Sequence, residues 1–273
     1  MFGKGGEGFS LAKAGQRMLT GMTVVAACST PVATQPPGLV VSVAASMNDA
    51  LAEIAGLYRA ATGVTVAINP GGSNTLARQI VEGAPVGLFL SADEIQMDAV
   101  QKAGRLVPGT RVRLLRNDLV IVVPPDATRK LTVEQLFDGR VNRLAMGEPS
   151  AVPAGVYGRR FLERQGAWDR LSSKVVPFPT VRAVLAAVEA GRVDAGIVYG
   201  TDALTSRVHV IARAADLDIV HSAAVIAGPN EAAARRFLEF LKREPARAVF
   251  VKHGFAIPPV LSGPKPLFGR VDG

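Results

Sequence analysis

Apolar runs and helical patterns alternate along the chain from residue 39 onward. Residues 39–44 are apolar except for Ser42, which predicts a buried strand. The spacing of apolar positions after Asn48 predicts a helix over 48–62, ended by Gly63. Further strands are predicted at 64–69, 86–90, 112–115, 119–123, 143–146, 175–178, 195–199, 208–211 and 223–227.

The order of these elements predicts an α/β fold. Strands that alternate with helices are typical of parallel sheets covered by helices. About ten strands are many for one sheet, so we expect two sheets in two lobes. Helix starts are predicted at two capping boxes, Ser91 to Glu94 and Thr132 to Gln135, and at the N-caps Thr180 and Asn230.

Composition and charge narrow the class of protein. The chain has 273 residues, of which 48% are hydrophobic and 5% aromatic, which suits a core of aliphatic residues. The formal net charge is +8, but no basic run is interleaved with aromatic residues, so we predict no nucleic-acid partner. A solvated basic surface explains most of this charge, and an anionic ligand is compatible with it.

The first 38 residues have the layout of an export segment. Lys13 and Arg17 precede the apolar residues 18–27, a stretch too short to span a bilayer, and Cys28 follows directly. Residues 25–28 resemble the processing site of bacterial lipoproteins, which implies cleavage before Cys28 and lipid attachment to its thiol. We predict a signal peptide over 1–27 and a Pro-rich tether over 28–38. An ordinary signal peptide with an incidental cysteine is the alternative.

Loops that follow several predicted strands share an uncharged, donor-rich chemistry. A helix start offers unpaired N–H groups and a partial positive charge, and hydroxyl groups add neutral donors. If these loops meet, they form a cage for an anion at the carboxyl ends of the strands. Each also has a simpler local role, as a helix cap, a turn or core packing. The candidate positions are Ser46, Gly71, Gly72, Ser73, Pro153, Ala154, Gly155, Thr180, Val181 and Tyr199.

The sequence offers little for catalysis. The three histidines, His209, His221 and His253, lie in the last quarter of the chain, and none is close in sequence to Ser46 or Ser73. We also find no group of His, Cys or carboxylate residues at metal-ligand spacing. We therefore predict a protein that is not an enzyme and needs no cofactor.

Six strings in fixed order carry a resemblance that covers nearly all of residues 39–257. They are AASMNDALAEI, GSNTLARQIVEGAPVGLFLSAD, NDLVIVVP, VPAGVYGRRFLERQGAWDRL, VRAVLAAVEAG and GIVYGTDA. Through them the chain resembles the periplasmic molybdate-binding proteins of ABC importers. The resemblance implies the two-lobed type II periplasmic binding protein fold, with a mostly parallel sheet flanked by helices in each lobe and the ligand in the cleft between them.

The resemblance also implies the ligand contacts. It assigns the hydroxyls of Ser46, Ser73 and Tyr199 and the backbone N–H groups of Ala154 and Val181 to a molybdate or tungstate oxyanion. Donors without a carboxylate acceptor favour a fully deprotonated anion, and we expect molybdate and tungstate to be preferred over sulfate. The alternatives are a protein of the same fold for sulfate or another tetrahedral oxyanion, and an oxyanion sensor or co-receptor not coupled to transport.

The implied organisation follows from the same resemblance. Lobe 1 is predicted to contain residues 39–116 and 222–260, lobe 2 residues 117–221, and a tail residues 261–273. The expected partners are a membrane permease with its cytoplasmic ATPase, and the membrane itself if Cys28 is lipidated. We expect an exported monomer in the periplasm or on the outer face of the cytoplasmic membrane.

Overall fold

The computed structural model describes residues 38–126, 132–138 and 141–258. The predicted signal peptide, Cys28, the tether before residue 38 and the predicted tail all lie outside the described residues. Within the described ranges, no helix combines the length and the apolar character that crossing a membrane requires.

Strands and helices alternate along the described chain as the apolar pattern predicts. The strands are β1 (Leu39–Ala44), β2 (Val66–Gly71), β3 (Leu88–Ser91), β4 (Val112–Val123), β5 (Leu144–Gly147), β6 (Val175–Phe178), β7 (Ala195–Tyr199) and β8 (His209–Val225). The helices are α1 (Asn48–Thr62), α2 (Ser73–Val81), α3 (Glu94–Lys102), α4 (Val133–Phe137), α5 (Pro153–Arg164), α6 (Trp168–Leu171), α7 (Val181–Glu189), α8 (Gly200–Leu204), α9 (Glu231–Leu241) and α10 (Glu244–Lys252).

The strands form two parallel groups joined by a long antiparallel pair. Their order is β2-β1-β3-β8-β4-β7-β5-β6, with β1 parallel to β2 and β3, and β5 parallel to β6 and β7. At the centre, β8 is antiparallel to both β3 and β4. The expectation of two separate sheets is therefore corrected: hydrogen bonds between β4 and β8 join both groups into one continuous sheet.

The breaks predicted within β4 and within β8 do not occur. The charged residues there form ion pairs between the two strands. The strands predicted at 112–115 and 119–123 form one strand, β4, and β8 replaces those predicted at 208–211 and 223–227. Arg116 of β4 forms a 2.6 Å ion pair with Asp218 of β8, and Arg213 of β8 pairs with Asp118 of β4. Opposite charges on paired strands favour the ladder, so this polar segment remains extended.

The predicted lobe boundaries fall within these two long strands. β3 pairs with residues 222–225 of β8, whereas β7 pairs with residues 119–122 of β4. The group of β1, β2 and β3 therefore joins the part of β8 that belongs to predicted lobe 1. The group of β5, β6 and β7 joins the part of β4 that belongs to predicted lobe 2. The boundaries themselves stay predictions.

Most predicted helix starts are confirmed, and one is wrong. Thr132 and Gln135 form the expected capping box, and the Thr180 hydroxyl accepts a hydrogen bond from the Ala183 N–H at 3.2 Å. For α3 the cap is Asp93, whose carboxylate accepts from the Gln96 N–H at 2.9 Å. Ser91 belongs to β3 instead. Asn230 precedes α9 but makes no side-chain capping bond.

Candidate functional site

A small cavity lies where five strand-to-helix connections meet the end of β7. It contains about 240 Å³ of space free of protein atoms, part of which is open to solvent. The connections follow β1, β2, β3, β5 and β6, so the cavity is at the carboxyl ends of parallel strands, where open α/β sheets bind ligands. Its lining residues are Ala44, Ala45, Ser46, Gly71, Gly72, Ser73, Ala92, Val152, Pro153, Ala154, Thr180, Val181 and Tyr199.

All five positions predicted to contact an oxyanion are in this lining. They are Ser46, Ser73, Ala154, Val181 and Tyr199. The fold thus brings together side chains and backbone groups that are up to 153 positions apart in the sequence (199 − 46). Their contact with a ligand stays a prediction.

The cavity wall is uncharged. No Lys, Arg, His, Asp or Glu is among the described residues that line it. The polar side chains in the wall are hydroxyls, and the Thr180 hydroxyl already caps α7. Burial raises the pKa of Tyr199 well above its ordinary value of 10.0, so this side chain is a neutral donor. The wall therefore offers hydrogen-bond donors without a carboxylate acceptor.

Ser73 is held so that its hydroxyl proton is free to face the cavity. It is the first residue of α2 and is 1% exposed. Its Oγ accepts a hydrogen bond from the Ala92 N–H at 3.1 Å, which occupies a lone pair and leaves the proton available. Gly72 precedes it, and a Cβ there would lie 2.8 Å from the Pro179 carbonyl oxygen. Only glycine allows so close an approach.

Ser46 lies in a short turn between β1 and α1 and contacts a histidine from β8. Its Oγ is 3.5 Å from Nε2 of His221, the outer limit of a hydrogen bond. The His221 ring is fully buried, with the rings of Tyr199 and Phe255 in edge contact at centroid distances of 5.3 and 5.5 Å. Burial lowers the pKa of His221 from 6.5 to about 3, so the imidazole is neutral.

Ala154 and Val181 contribute backbone groups at the starts of α5 and α7. Each lies in the first turn of its helix, where N–H groups have no intrahelical partner. Pro153 begins α5, a position where proline costs no hydrogen bond. A Cβ on Gly155 would lie 2.2 Å from the Gly147 carbonyl oxygen, so glycine is required for this tight β5–α5 connection.

Tyr199 ends β7 and lines the cavity. The residue is 1% exposed, and within the described part of the chain its hydroxyl has no hydrogen-bond partner. A buried hydroxyl without a partner costs about 1–3 kcal/mol. A ligand oxygen in the cavity would remove that cost.

Two buried carboxylates lie near the cavity without lining it. Burial raises the pKa of Asp93 to about 6, and burial likewise raises that of Asp202 to about 6. Arg182 Nε lies 2.8 Å from Asp202 Oδ1, an ion pair without hydrogen-bond alignment, and Arg182 Nη2 donates to Asp49 at 2.8 Å. Arg182 therefore links α1, α7 and α8 beside the cavity.

The pairing of Ser46 with His221 does not form a catalytic triad. A triad requires a group that hydrogen-bonds the second ring nitrogen and stabilises the imidazolium. His221 Nδ1 has no hydrogen-bond partner among the described residues, and its low pKa makes it a poor base. In the ranges that the structure describes, no group of three or more His, Cys, Asp or Glu residues could hold a metal ion.

A larger groove on another face contains none of the predicted site residues. It is lined mainly by apolar side chains of β4, α9 and α10. Two of its cations, Arg113 and Arg116, share the carboxylate of Asp218 at 2.7 and 2.6 Å, and Lys242 and Arg247 line it as well. This groove has none of the neutral donor loops at strand ends that the sequence predicts for the ligand, so the small cavity is the better candidate for the predicted site.

Fold and cavity together define a solute-binding protein of the two-lobed periplasmic type. The family model of bacterial extracellular solute-binding proteins matches residues 39–256. The chain belongs to this family. The expected resemblance, the two-lobed fold class and the absence of an enzymatic role are confirmed, with one continuous sheet in place of the two that were expected.

Individual relatives agree with this assignment. The molybdate-binding protein ModA of Escherichia coli (strain K12) is 38% identical over 231 residues, which cover 80% of this chain and 89% of the relative. A putative ABC transporter substrate-binding lipoprotein of Bacillus subtilis (strain 168) is 35% identical over 248 residues, 87% of this chain and 95% of the relative. The solved periplasmic molybdate-binding protein of Azotobacter vinelandii superposes with a TM-score of 0.73 at 25% identity, covering 81% of this chain and 100% of that one.

Proposed function

We propose that this protein captures molybdate, and tungstate with it, outside the cytoplasm and delivers the ion to the permease of an ABC importer. The observation that carries the proposal is a cavity wall of neutral donors at all five positions implied by the resemblance. The description of the Escherichia coli relative as a molybdate-binding protein supports the choice of ion.

The chemistry of the wall matches a tetrahedral dianion. Removing such an ion from water is very costly unless its oxygens are hydrogen-bonded. Donors come from five separate segments of the chain: hydroxyls on Ser46, Ser73 and Tyr199, and the helix starts at Ala154 and Val181. Because the wall offers no carboxylate acceptor, it favours molybdate or tungstate over a protonated anion such as hydrogen phosphate.

Calorimetric titration with molybdate, tungstate, sulfate and phosphate tests this function. We expect tight binding of the first two ions and weaker binding of sulfate. A Ser73→Ala variant should lose affinity, whereas Ser172→Ala, which changes an exposed serine outside the cavity, should keep it. Tight sulfate binding without a molybdate response would instead support the sulfate alternative.

Ligand capture is proposed to close the two lobes around the ion. Ser46 and Ser73 belong to predicted lobe 1, and the other three contacts to lobe 2. Arg182 of lobe 2 binds Asp49 of lobe 1, which supports a closed arrangement. Only the closed state satisfies all ligand oxygens, so the ion shifts the population toward it. X-ray scattering of the monomer should show a smaller radius of gyration with saturating molybdate, and an unchanged radius would contradict closure.

Export with a lipid anchor at Cys28 completes the proposed function. The order of basic, apolar and cysteine residues supports it, and the Bacillus subtilis relative is described as a lipoprotein. Mass spectrometry of the protein from a bacterial membrane fraction should detect a lipid-modified residue 28 at the new N-terminus. A Cys28→Ser variant that stays equally membrane-bound would refute the anchor.

A further inference from the structure

His221 lies behind Ser46, one layer away from the cavity. It does not line the cavity, and its ring is fixed by edge contacts with Tyr199 and Phe255. Among the described residues, Ser46 Oγ is the one hydrogen-bond partner of the ring, because Nδ1 has none. Any hydrogen-bonding effect of this imidazole on ligand binding therefore passes through Ser46.

The position of the single imidazole proton decides what Ser46 can do. A neutral imidazole has one N–H donor and one acceptor nitrogen. If Nδ1 carries the proton, Nε2 accepts the Ser46 hydroxyl proton, and only oxygen lone pairs face the cavity. If Nε2 carries it, Nε2–H donates to Ser46 Oγ, and the hydroxyl proton is free to bind an anion.

Ser73 shows the same arrangement with a backbone donor. The Ala92 N–H donates to Ser73 Oγ from behind, and the hydroxyl proton remains available for the cavity. Ser46 lies in a 3-10 turn with no side-chain capping bond. In that turn the polar group behind the hydroxyl is Nε2 of His221.

We propose that His221 is a positioning residue: its Nε2–H donates to Ser46 Oγ and directs the Ser46 hydroxyl proton toward the bound oxyanion. This inference rests on the proposed function and adds a residue that does not itself touch the ligand. When the Ser46 hydroxyl proton points toward an anion, an Oγ lone pair is left to accept the Nε2–H.

A double-mutant cycle tests the inference by calorimetry with molybdate. His221→Phe keeps an aromatic ring against Tyr199 and Phe255 but removes the donor. We expect about tenfold weaker binding in the wild-type background and less than about twofold weaker binding when Ser46→Ala is already present. His221→Gln, which retains an N–H donor, should recover part of the affinity. Equal losses in both backgrounds, or no loss in either, would overturn the proposal.

Determining which ring nitrogen of His221 carries the proton is a second test, and it does not depend on ligand binding. NMR of the full chain with isotope-labelled histidine should show the proton of His221 on Nε2, both without and with molybdate. A proton on Nδ1 would overturn the inference. If wild type fails to bind molybdate, the proposed function fails, and the tautomer in the free protein still decides the role of His221.

Discussion

Replacing His221 by glutamine should make the protein more resistant to acid. The imidazole is fully buried, and burial lowers its pKa from 6.5 to about 3. Between these values the unfolded chain binds a proton at residue 221 and the folded protein does not. Stability therefore falls as the pH falls through this window, and a residue that cannot be protonated avoids the loss.

The expected size follows from the two pKa values. Inside the window, each pH unit of acidification lowers the free energy of unfolding by about 1.4 kcal/mol, because one more proton binds to the unfolded chain than to the folded protein. From the unfolded-state value of 6.5 down to pH 5 the histidine costs about 2 kcal/mol. At pH 5 the folded imidazole is still neutral, so this figure depends on the unfolded-state pKa and not on where the folded one lies. Asp93 and Asp202, whose pKa values are raised, titrate in the opposite sense, but both are present in wild type and variant.

Urea unfolding at pH 7 and pH 5, without ligand, measures the effect. The chain has a single tryptophan, Trp168, so its fluorescence and far-ultraviolet circular dichroism provide two independent probes of the transition. The free energy of unfolding of His221→Gln minus that of wild type should rise by about 2 kcal/mol from pH 7 to pH 5. The same difference at both pH values would show that His221 is not kept neutral in the folded protein, and the burial argument would be wrong.

Three further predictions concern the cavity and its support. Ser46→Ala and Ser73→Ala should each weaken molybdate binding by about 1–3 kcal/mol in calorimetry, and Tyr199→Phe should weaken it less; an unchanged affinity in the double serine variant would remove both from the site. Gly155→Ala should lower the melting temperature of the protein, because the new Cβ would lie 2.2 Å from the Gly147 carbonyl oxygen. The control Gly56→Ala in α1, where a Cβ would have nothing within 4 Å, should raise it slightly. Equal shifts in the two variants would contradict the steric argument. Arg182→Met leaves Asp202 buried without its cation and should lower the free energy of unfolding by about 3–5 kcal/mol at pH 8. At pH 5 the decrease in the free energy of unfolding, measured with urea, should be smaller, because Asp202, with its pKa raised to about 6, is protonated there. A decrease of the same size at both pH values would contradict this prediction.

The apolar pattern predicted most of the fold because buried strands and amphipathic helices have distinct periods. β1, α1, β6 and β7 begin and end at the predicted residues. The central strands were not predicted as continuous, because Arg116 to Asp118 has the polarity of a loop. Their partners lie about a hundred positions away in β8, and no local pattern reports such a pairing. The short helices α6 and α8 have too few turns to show a helical period.

The site was predictable in its chemistry but not in its assembly. Each donor-rich loop can be found in the sequence, since serine, glycine or proline marks the helix start that follows a strand. Their convergence depends on the strand order, and the resemblance to a known family supplied it. His221 had no such signal, because it lies 175 positions from Ser46 within a segment that was not predicted as strand. Its proximity follows from β8 crossing the centre of the sheet, next to β4, with the ends of β1 and β7 close by. A residue that orients a ligand contact from behind is therefore visible only in three dimensions, even where the contact itself can be identified from the sequence.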